Sequence, residues 1–366
     1  MSDTPLRWGI LSTAEIARKN WLAIWNTGNS VVTAVASRKL ERSRQFIREC
    51  QARAPFAQEP VAFGSYEELV ASPQVEALYI PLPTGLRKEW VLRAAAAGKH
   101  VVCEKPCAGN LEELEAMVEA CRRHQVQFMD GVMFMHSQRL DALRAVLDDG
   151  QSVGALKRMM MGFSFCASPE FFTSNIRAQS TLEPFGCLGD LGWYCIRLAL
   201  WVMQWRAPRR VTGRLLSEAR HAESGAPVPT EFSGELIFDG GVSAGFYCSF
   251  VTADQQWAHF SGAKGTVHVA DFVLPFFGNE VSFEVGNSFF AVTGCDFNME
   301  ARRRSVVTRE YSNSHPSSQE TNLFRNFAAQ ARSGKRRDEW PMQALLTQQV
   351  MEQCLAAARK PVEMVN

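Results

Sequence analysis

Two short groups of residues in this chain are suited to acid–base chemistry: Glu104-Lys105-Pro106, and the Asp190…Tyr194 pair one helical turn apart. The first closes the apolar run HVVC at 100–103. Proline has no N–H to extend a strand ladder and biases the residue before it toward an extended backbone. Lys105 is therefore expected at a strand end, with its ammonium directed into the space beyond. The second group lies in GCLGDLGWYCIR, residues 186–197, where Asp190, Tyr194 and Arg197 are spaced i, i+4, i+7. On a helix they share one face, beside a packing stripe of Leu191, Cys195, Leu198 and Val202. A free tyrosine has a pKa of about 10, too high for a base near neutrality, and a nearby ammonium lowers it. Lys105 would supply that ammonium to Tyr194 if the fold brings the two together. The pair could then take a carbinol proton while hydride leaves the carbon. The same residues also have plainer uses: a strand end with a surface ion pair, and a tyrosine packed in a core beside a surface aspartate.

The segments around these residues set where they stand. From Arg7 to about Met129 short apolar runs alternate with helical stretches. WGIL, VVTAVAS (31–37), VEALYIPL (75–82), HVVCE and VQFMDG read as strands. Residues 14–25, 39–52, 85–97 and 110–124 read as helices, and Ser65 with Glu68 and Asn110 with Glu113 have capping-box spacing. Strands apolar throughout and alternating with helices predict a doubly wound parallel sheet covered on both faces. After residue 137 the pattern changes. SQRLDALRAVLDDG reads as a connecting helix. Seven strand-like stretches follow, with GG at 240–241 and KG at 264–265 as hairpin punctuation, a helix at 187–205 and two closing helices. The reading is α/β: a dinucleotide-type domain at 1–130, then a second α/β domain at 131–366 built on a large, mostly antiparallel open sheet. A second subunit is a common cover for such a sheet.

In a doubly wound sheet, ligands bind outside the carboxyl ends of the strands. Three stretches fall there besides Glu104, Lys105 and Pro106. The first turn, GILSTAEIA at 9–17, offers Ser12, Thr13, Ala14 and Ile16. The small residues Ser12, Ala14 and Ala17 replace a G-x-G-x-x-G/A fingerprint and still allow a pyrophosphate near the helix N-terminus. Ser12 with Glu15 could equally form a capping box. The second is Ser37-Arg38-Lys39, with Arg42 one turn on. NAD-selective sites place an acid there; a hydroxyl followed by cations suits a 2′-phosphate, so NADP is expected over NAD, unless the stretch is a solvated basic loop. The third is the loop Pro81, Leu82, Pro83, Thr84.

The bulk composition excludes other classes. A net charge of +1 gives no electrostatic case for nucleic acid or an anionic membrane. The ten cysteines form no C-x-x-C and do not cluster with the seven histidines, so neither a disulfide framework nor a metal site is expected. They read as small buried hydrophobes. MSDTPLRWGIL has no apolar signal segment and LALWVMQW is too short to span a bilayer, so the cytoplasm is the expected location.

The E-K-P motif, the strand–turn–helix at 9–17 and D-x-G-x-Y at 190–194 together resemble the Gfo/Idh/MocA family of NAD(P)-dependent oxidoreductases. The likeness continues through ALYIPLPTGL, FMDGVMFMH and GAKGTVHVADF and so runs along essentially the whole chain. It implies a Rossmann domain, a second domain used for homodimers or homotetramers, and sugars, polyols or cyclic diols as substrates. By position it implies that Lys105 touches the substrate hydroxyl and nicotinamide ribose, that Tyr194 is the acid/base, and that Asp190 binds substrate. It also suggests that Arg177 in Asn175-Ile176-Arg177 reaches the substrate. Where many members have histidine after PLP-x-x-L, this chain has Arg87, a cation that could bind a phosphate or an acidic substrate group or lie at the surface. The expected function is an NADP-dependent oxidoreductase of a sugar, polyol or diol carbinol. The aromatic PEFF stretch (169–172) leaves room for hydrocarbon-derived diols. A non-catalytic NADP sensor on the same fold is the alternative, and retention of both Lys105 and Tyr194 argues against it.

Overall fold

The computed structural model describes residues 4–360. Its first sheet is wholly parallel: β1 (Leu6–Leu11), β2 (Ser30–Ala36), β3 (Val61–Phe63), β4 (Ala77–Ile80), β5 (His100–Cys103) and β6 (Phe128–Asp130), in the order β3-β2-β1-β4-β5-β6. The reversal beside β1 is the topological switch point of a Rossmann sheet. The connecting helices are α1 (Glu15–Trp25), α2 (Leu40–Arg53), α3 (Tyr66–Ala71), α4 (Arg87–Ala96) and α5 (Leu111–Arg123). The expected caps form at α3 and α5, where Ser65 Oγ accepts from Glu68 N at 3.2 Å and Asn110 Oδ1 from Glu113 N at 2.9 Å. The Ser12–Glu15 box does not form. Helix α1 begins after Ala14 with no side-chain cap, because Ser12 Oγ accepts from Ala14 N instead.

The chain divides into two compact units, and the first is not contiguous. It runs up to His136 and includes Gln179–Pro184 and Asn313–Gln348. Helix α6 (Arg139–Asp148) lies beyond it, in the second unit. The helix at Gln319–Arg332 belongs to the first unit and covers the sheet with Leu323, Phe324, Phe327 and Ala328. The Trp8 indole packs on the Phe324 and Phe327 rings with centroids 5.2 and 5.3 Å apart. Such aromatic contacts add about 0.5–1.5 kcal/mol each beyond burial of area.

The second unit carries an eight-stranded sheet. Its strands are β7 (Leu156–Cys166), β8 (Arg210–Ala219), β9 (Val228–Ile237), β10 (Ser243–Ser249), β11 (Val251–Gly262), β12 (Thr266–Val269), β13 (Val281–Gly286) and β16 (Arg303–Thr308). They run β16-β13-β12-β11-β7-β10-β9-β8, antiparallel except for the central β7–β10 pair. A separate hairpin pairs β14 (Phe289–Thr293) with β15 (Asp296–Glu300). Gly240 and Gly241 take φ of +72° and +73° in the β9–β10 turn, a conformation that favours glycine. After α6 this unit carries α7 (Pro169–Ser174) and α8 (Trp193–Val202), and the last two helices of the chain are α9 (Gln319–Arg332) and α10 (Glu339–Ala358).

Strands β3, β8, β11 and β15 were not expected from the sequence. β11 carries Asp254, Gln255 and Gln256 in succession, which breaks apolar alternation, and β15 is exposed along its length. Eight of the ten cysteines are buried as expected, but Cys166 and Cys295 are exposed. Among the described residues no group of three or more His, Cys, Asp or Glu is arranged to hold a metal, and no helix is long and apolar enough to cross a membrane.

Candidate active site

In the first unit the residues at the carboxyl ends of β1, β2, β4 and β5 lie along one edge of one parallel sheet. Ser12 follows β1 with φ of +140°, a region disfavoured for residues with a Cβ. The uncapped α1 behind it leaves first-turn N–H groups without a side-chain acceptor, which suits an anion. Thr13 and Ala14 are partly buried and Ile16 is exposed.

At the end of β2 the Ser37 hydroxyl turns back on its own loop. It donates to Lys39 O at 2.6 Å and accepts from Lys39 N at 3.2 Å. Arg38, Lys39 and Arg42 are exposed, with no carboxylate in ion-pair contact among the described residues. An uncapped helix start and three exposed cations form a donor set that fits the phosphates of a dinucleotide.

The loops after β4 and β5 are tied together. Pro81, Leu82 and Thr84 are buried and Pro83 partly so. Thr84 Oγ1 donates to Glu183 Oε2 at 2.6 Å and Thr84 N to Glu183 Oε1 at 3.1 Å. Gly85 N donates to Leu182 O at 2.9 Å. A Cβ at Gly85 would stand 2.1 Å from Thr181 O, so glycine alone fits under this strap. Glu104 Oε1 accepts from Tyr79 Oη at 2.6 Å, and Tyr79 Oη accepts from Asn20 Nδ2 at 2.5 Å. Burial, then the adjoining Glu104 carboxylate, push the Tyr79 phenol well above its usual pKa, so it stays a donor. Lys105 is partly exposed and joined to the buried Pro106 by a cis peptide bond.

Arg87 departs from the uses expected of it. It is 5% exposed, and its guanidinium donates to Leu82 O at 2.6 Å, Glu104 O at 2.8 Å and Pro106 O. It is neither a surface residue nor open to a phosphate or an acidic substrate group. Tyr79, Asn20 and Glu183 were also missed. A tyrosine inside the apolar ALYI strand was a signal for the first; the other two have none, because their partners are distant in sequence.

In the second unit the Asp190 stretch is not regular α-helix. Leu188–Gly192 forms a π-helical turn that leads into α8, so the expected 3.6-residue register is interrupted. Asp190 sits in this turn, and its Oδ2 accepts from Arg177 Nε at 2.8 Å. The structure thus brings together the two residues assigned to substrate. Tyr194 is 7% exposed and meets the Phe163 ring edge-on at 5.7 Å. Arg197 is 1% exposed, with its guanidinium over the Trp193 and Trp205 rings at 5.7 and 5.8 Å. Helix α8 is buried on nearly every side rather than along one stripe. In PEFF, Phe171 and Phe172 are partly exposed, and Phe171 packs on Phe165 and Phe250 at 5.7 and 5.3 Å.

A parallel sheet in Rossmann order, with this donor set at its switch point, defines a dinucleotide-dependent enzyme domain. Residues 6–132 match the model for the oxidoreductase family with an NAD-binding Rossmann fold, GFO/IDH/MocA, and residues 140–268 match the GFO/IDH/MocA C-terminal domain. The chain belongs to the Gfo/Idh/MocA family and is an NAD(P)-dependent oxidoreductase. It is 32% identical to mouse (Mus musculus) trans-1,2-dihydrobenzene-1,2-diol dehydrogenase over 74% of this chain and 76% of that protein. It is 29% identical to dTDP-3,4-didehydro-2,6-dideoxy-alpha-D-glucose 3-reductase of Saccharopolyspora spinosa, over 72% and 74%. Among solved structures, a 3-ketoreductase from Actinomadura kijaniata in complex with NADP and TDP-benzene superposes with a TM-score of 0.79 at 25% identity, covering 97% of this chain and 98% of that one. The aldose-aldose oxidoreductase of Caulobacter crescentus shares the fold, with a TM-score of 0.78 at 20% identity over 97% and 98%.

Proposed function

We propose that this enzyme moves hydride between NADP and a CH–OH carbon of a sugar, polyol or cyclic diol, with Lys105 and Tyr194 as its catalytic residues. The observation that carries the reading is the single sheet edge that holds Ser12, Ser37-Arg38, the Pro81–Thr84 loop and Lys105. The nicotinamide accepts or returns the hydride when bound. This chain's part is to hold the cofactor and to manage the carbinol proton. Ser12, Thr13, Ala14 and Ile16 offer the α1 N-terminus to the pyrophosphate. Arg38 and Arg42 face the 2′-phosphate, on a loop whose shape Ser37 sets. Pro81, Leu82, Pro83 and Thr84, with Glu104 and Pro106, border the nicotinamide ribose. Lys105 holds the reacting hydroxyl, Tyr194 takes or gives its proton, and Asp190 with Arg177 binds the rest of the substrate. Domains of 1–130 and 131–366, a homodimer or homotetramer through the second sheet, and a cytoplasmic location complete the proposal.

The NADP preference rests on Arg38 and Lys39 directly after β2, where NAD-selective sites place an acid, with Arg42 one turn on. The substrate class rests on the diol and sugar substrates in the relatives' names. The test begins with tryptophan fluorescence on titration with NADPH and NADH. Tighter NADPH binding, lost in Arg38→Ala, is expected; equal affinities would remove NADP from the proposal. Oxidation of trans-1,2-dihydrobenzene-1,2-diol and a panel of pyranoses follows. Lys105→Met and Tyr194→Phe should each lower kcat by about 10²-fold or more while NADPH binding holds. Cofactor binding with no turnover of any carbinol would favour a sensor instead.

A further inference from the structure

Lys105 stands between two carbonyls that one side chain holds. The β4–β5 ladder pairs Ile80 with Cys103 and ends with Glu104 N donating to Ile80 O at 3.3 Å. Beyond that point the two strands no longer bond to each other, and both run into the loops assigned to the nicotinamide end. Arg87, at the start of α4, bridges them there. Its Nε donates to Leu82 O at 2.6 Å on one loop. Its Nη1 donates to Glu104 O at 2.8 Å and to Pro106 O on the other. Thr84 Oγ1 lies 3.3 Å from the same Pro106 O.

The choice of residue is informative. Arg87 is buried with no carboxylate in ion-pair contact among the described residues. A buried charge answered only by carbonyls is costly, so tight loop closure alone would be better served by neutral donors. A guanidinium is planar, permanently charged and carries five N–H donors in a fixed fork. It can therefore fix three carbonyls in one plane, two of which flank Lys105. Lysine, a point donor on a flexible stem, cannot do the same.

We propose that Arg87 is the positioning residue for Lys105: by pinning the carbonyls on both sides, it fixes the backbone from which the ammonium reaches the reacting hydroxyl. The inference rests on the reading of Lys105 as catalytic. An error of about 1 Å in such a group costs on the order of 10²-fold in rate.

The test compares Arg87→Lys, which keeps the charge and loses the fork, with Lys105→Met in the NADP-loaded full chain. With trans-1,2-dihydrobenzene-1,2-diol as substrate, Arg87→Lys should lower kcat by roughly 30-fold or more, with KM and NADPH affinity within about threefold. A second readout needs no turnover. Trace acetylation resolved by peptide mass spectrometry should show Lys105 reacting at a changed rate in Arg87→Lys, while Lys88 and Lys264 react as before. If Arg87→Lys does not fold, Arg87→Gln, a neutral two-donor replacement, is read the same way. Wild-type kcat and an unchanged Lys105 acetylation rate, alongside an inactive Lys105→Met, would overturn the inference and leave the catalytic lysine standing. A kcat loss matched by equal losses in NADPH affinity and melting temperature would reduce Arg87 to a structural role. Full turnover by Lys105→Met would remove the role of the lysine, and the inference with it.

Discussion

Ser12 holds a φ of +140° in the turn after β1, where glycine would be relaxed. Strain of this kind costs of order 1–3 kcal/mol. The hydrogen bond from Ala14 N to Ser12 Oγ, at 3.1 Å, returns about 1 kcal/mol. Comparing two substitutions separates these effects. Ser12→Ala and Ser12→Gly both lose the hydroxyl, and only glycine relieves the backbone. Glycine gives up about 0.5–1 kcal/mol of chain entropy. Ser12→Gly should therefore be about 1 kcal/mol more stable than Ser12→Ala in urea unfolding. Equal midpoints and slopes would mean that the strain is no larger than the glycine entropy loss of about 0.5–1 kcal/mol. At this scale the sequence was a partial guide. The types and order of Ser12, Lys105 and Tyr194 were readable, because each lies in a short local motif. Arg87 was not, because its acceptors stand 5, 17 and 19 residues away and only the paired strands bring them close.

Among the elements, the helices and strands of the first sheet were readable because each is a contiguous apolar run or an amphipathic stretch with its own caps. The partner of the sheet was not. Helix α9 reaches it from the far end of the chain, and Glu76 fastens the join across 256 residues. Glu76 Oε1 and Oε2 accept from Arg332 Nη1 and Nη2 at 2.9 and 2.6 Å, and Oε2 also accepts from Arg7 N at 3.1 Å. Burial pushes the Glu76 carboxyl up, but the hydrogen bonds from Arg332 and Arg7 outweigh it and hold the pKa at about 2. The folded value lies below the unfolded one, about 4.3. The stabilisation is therefore complete above that value and fades as pH falls toward 2. Glu76→Gln should lose about 1–2 kcal/mol at neutral pH, allowing for solvent screening at a partly exposed site. The gap between wild type and variant in chemical denaturation should narrow steadily below pH 4.5 or so. A gap that is constant with pH would show that the charge of Glu76 does not hold the helix.

For the whole molecule, the expectation of a covered sheet takes a more specific form. The outer face of the eight-stranded sheet is largely polar, with Arg158 ion-paired to Glu235 and His259 opposite His268 across the strands. Exposed apolar surface is concentrated instead on the β14–β15 hairpin. Register pairs Phe290 with Met299 and Val292 with Phe297 on one side of it, and these four side chains are 54–69% exposed. Phe277, in the loop before β13, is 95% exposed. A lone two-stranded hairpin is marginal in water, and clustered exposed apolar side chains of this kind suit a contact surface. In the homo-oligomer proposed to form through the second sheet, this side of the hairpin should also lie against the second copy of the chain. The double substitution Phe290→Asp and Phe297→Asp puts charge on that side and leaves the packed sheet untouched. Light scattering at matched concentration should give a multiple of 40.9 kDa for the wild type and a single 40.9 kDa chain for the variant, with circular dichroism unchanged. A variant that keeps the wild-type mass would move the contact away from the hairpin, and a wild type that is already monomeric would remove the oligomer.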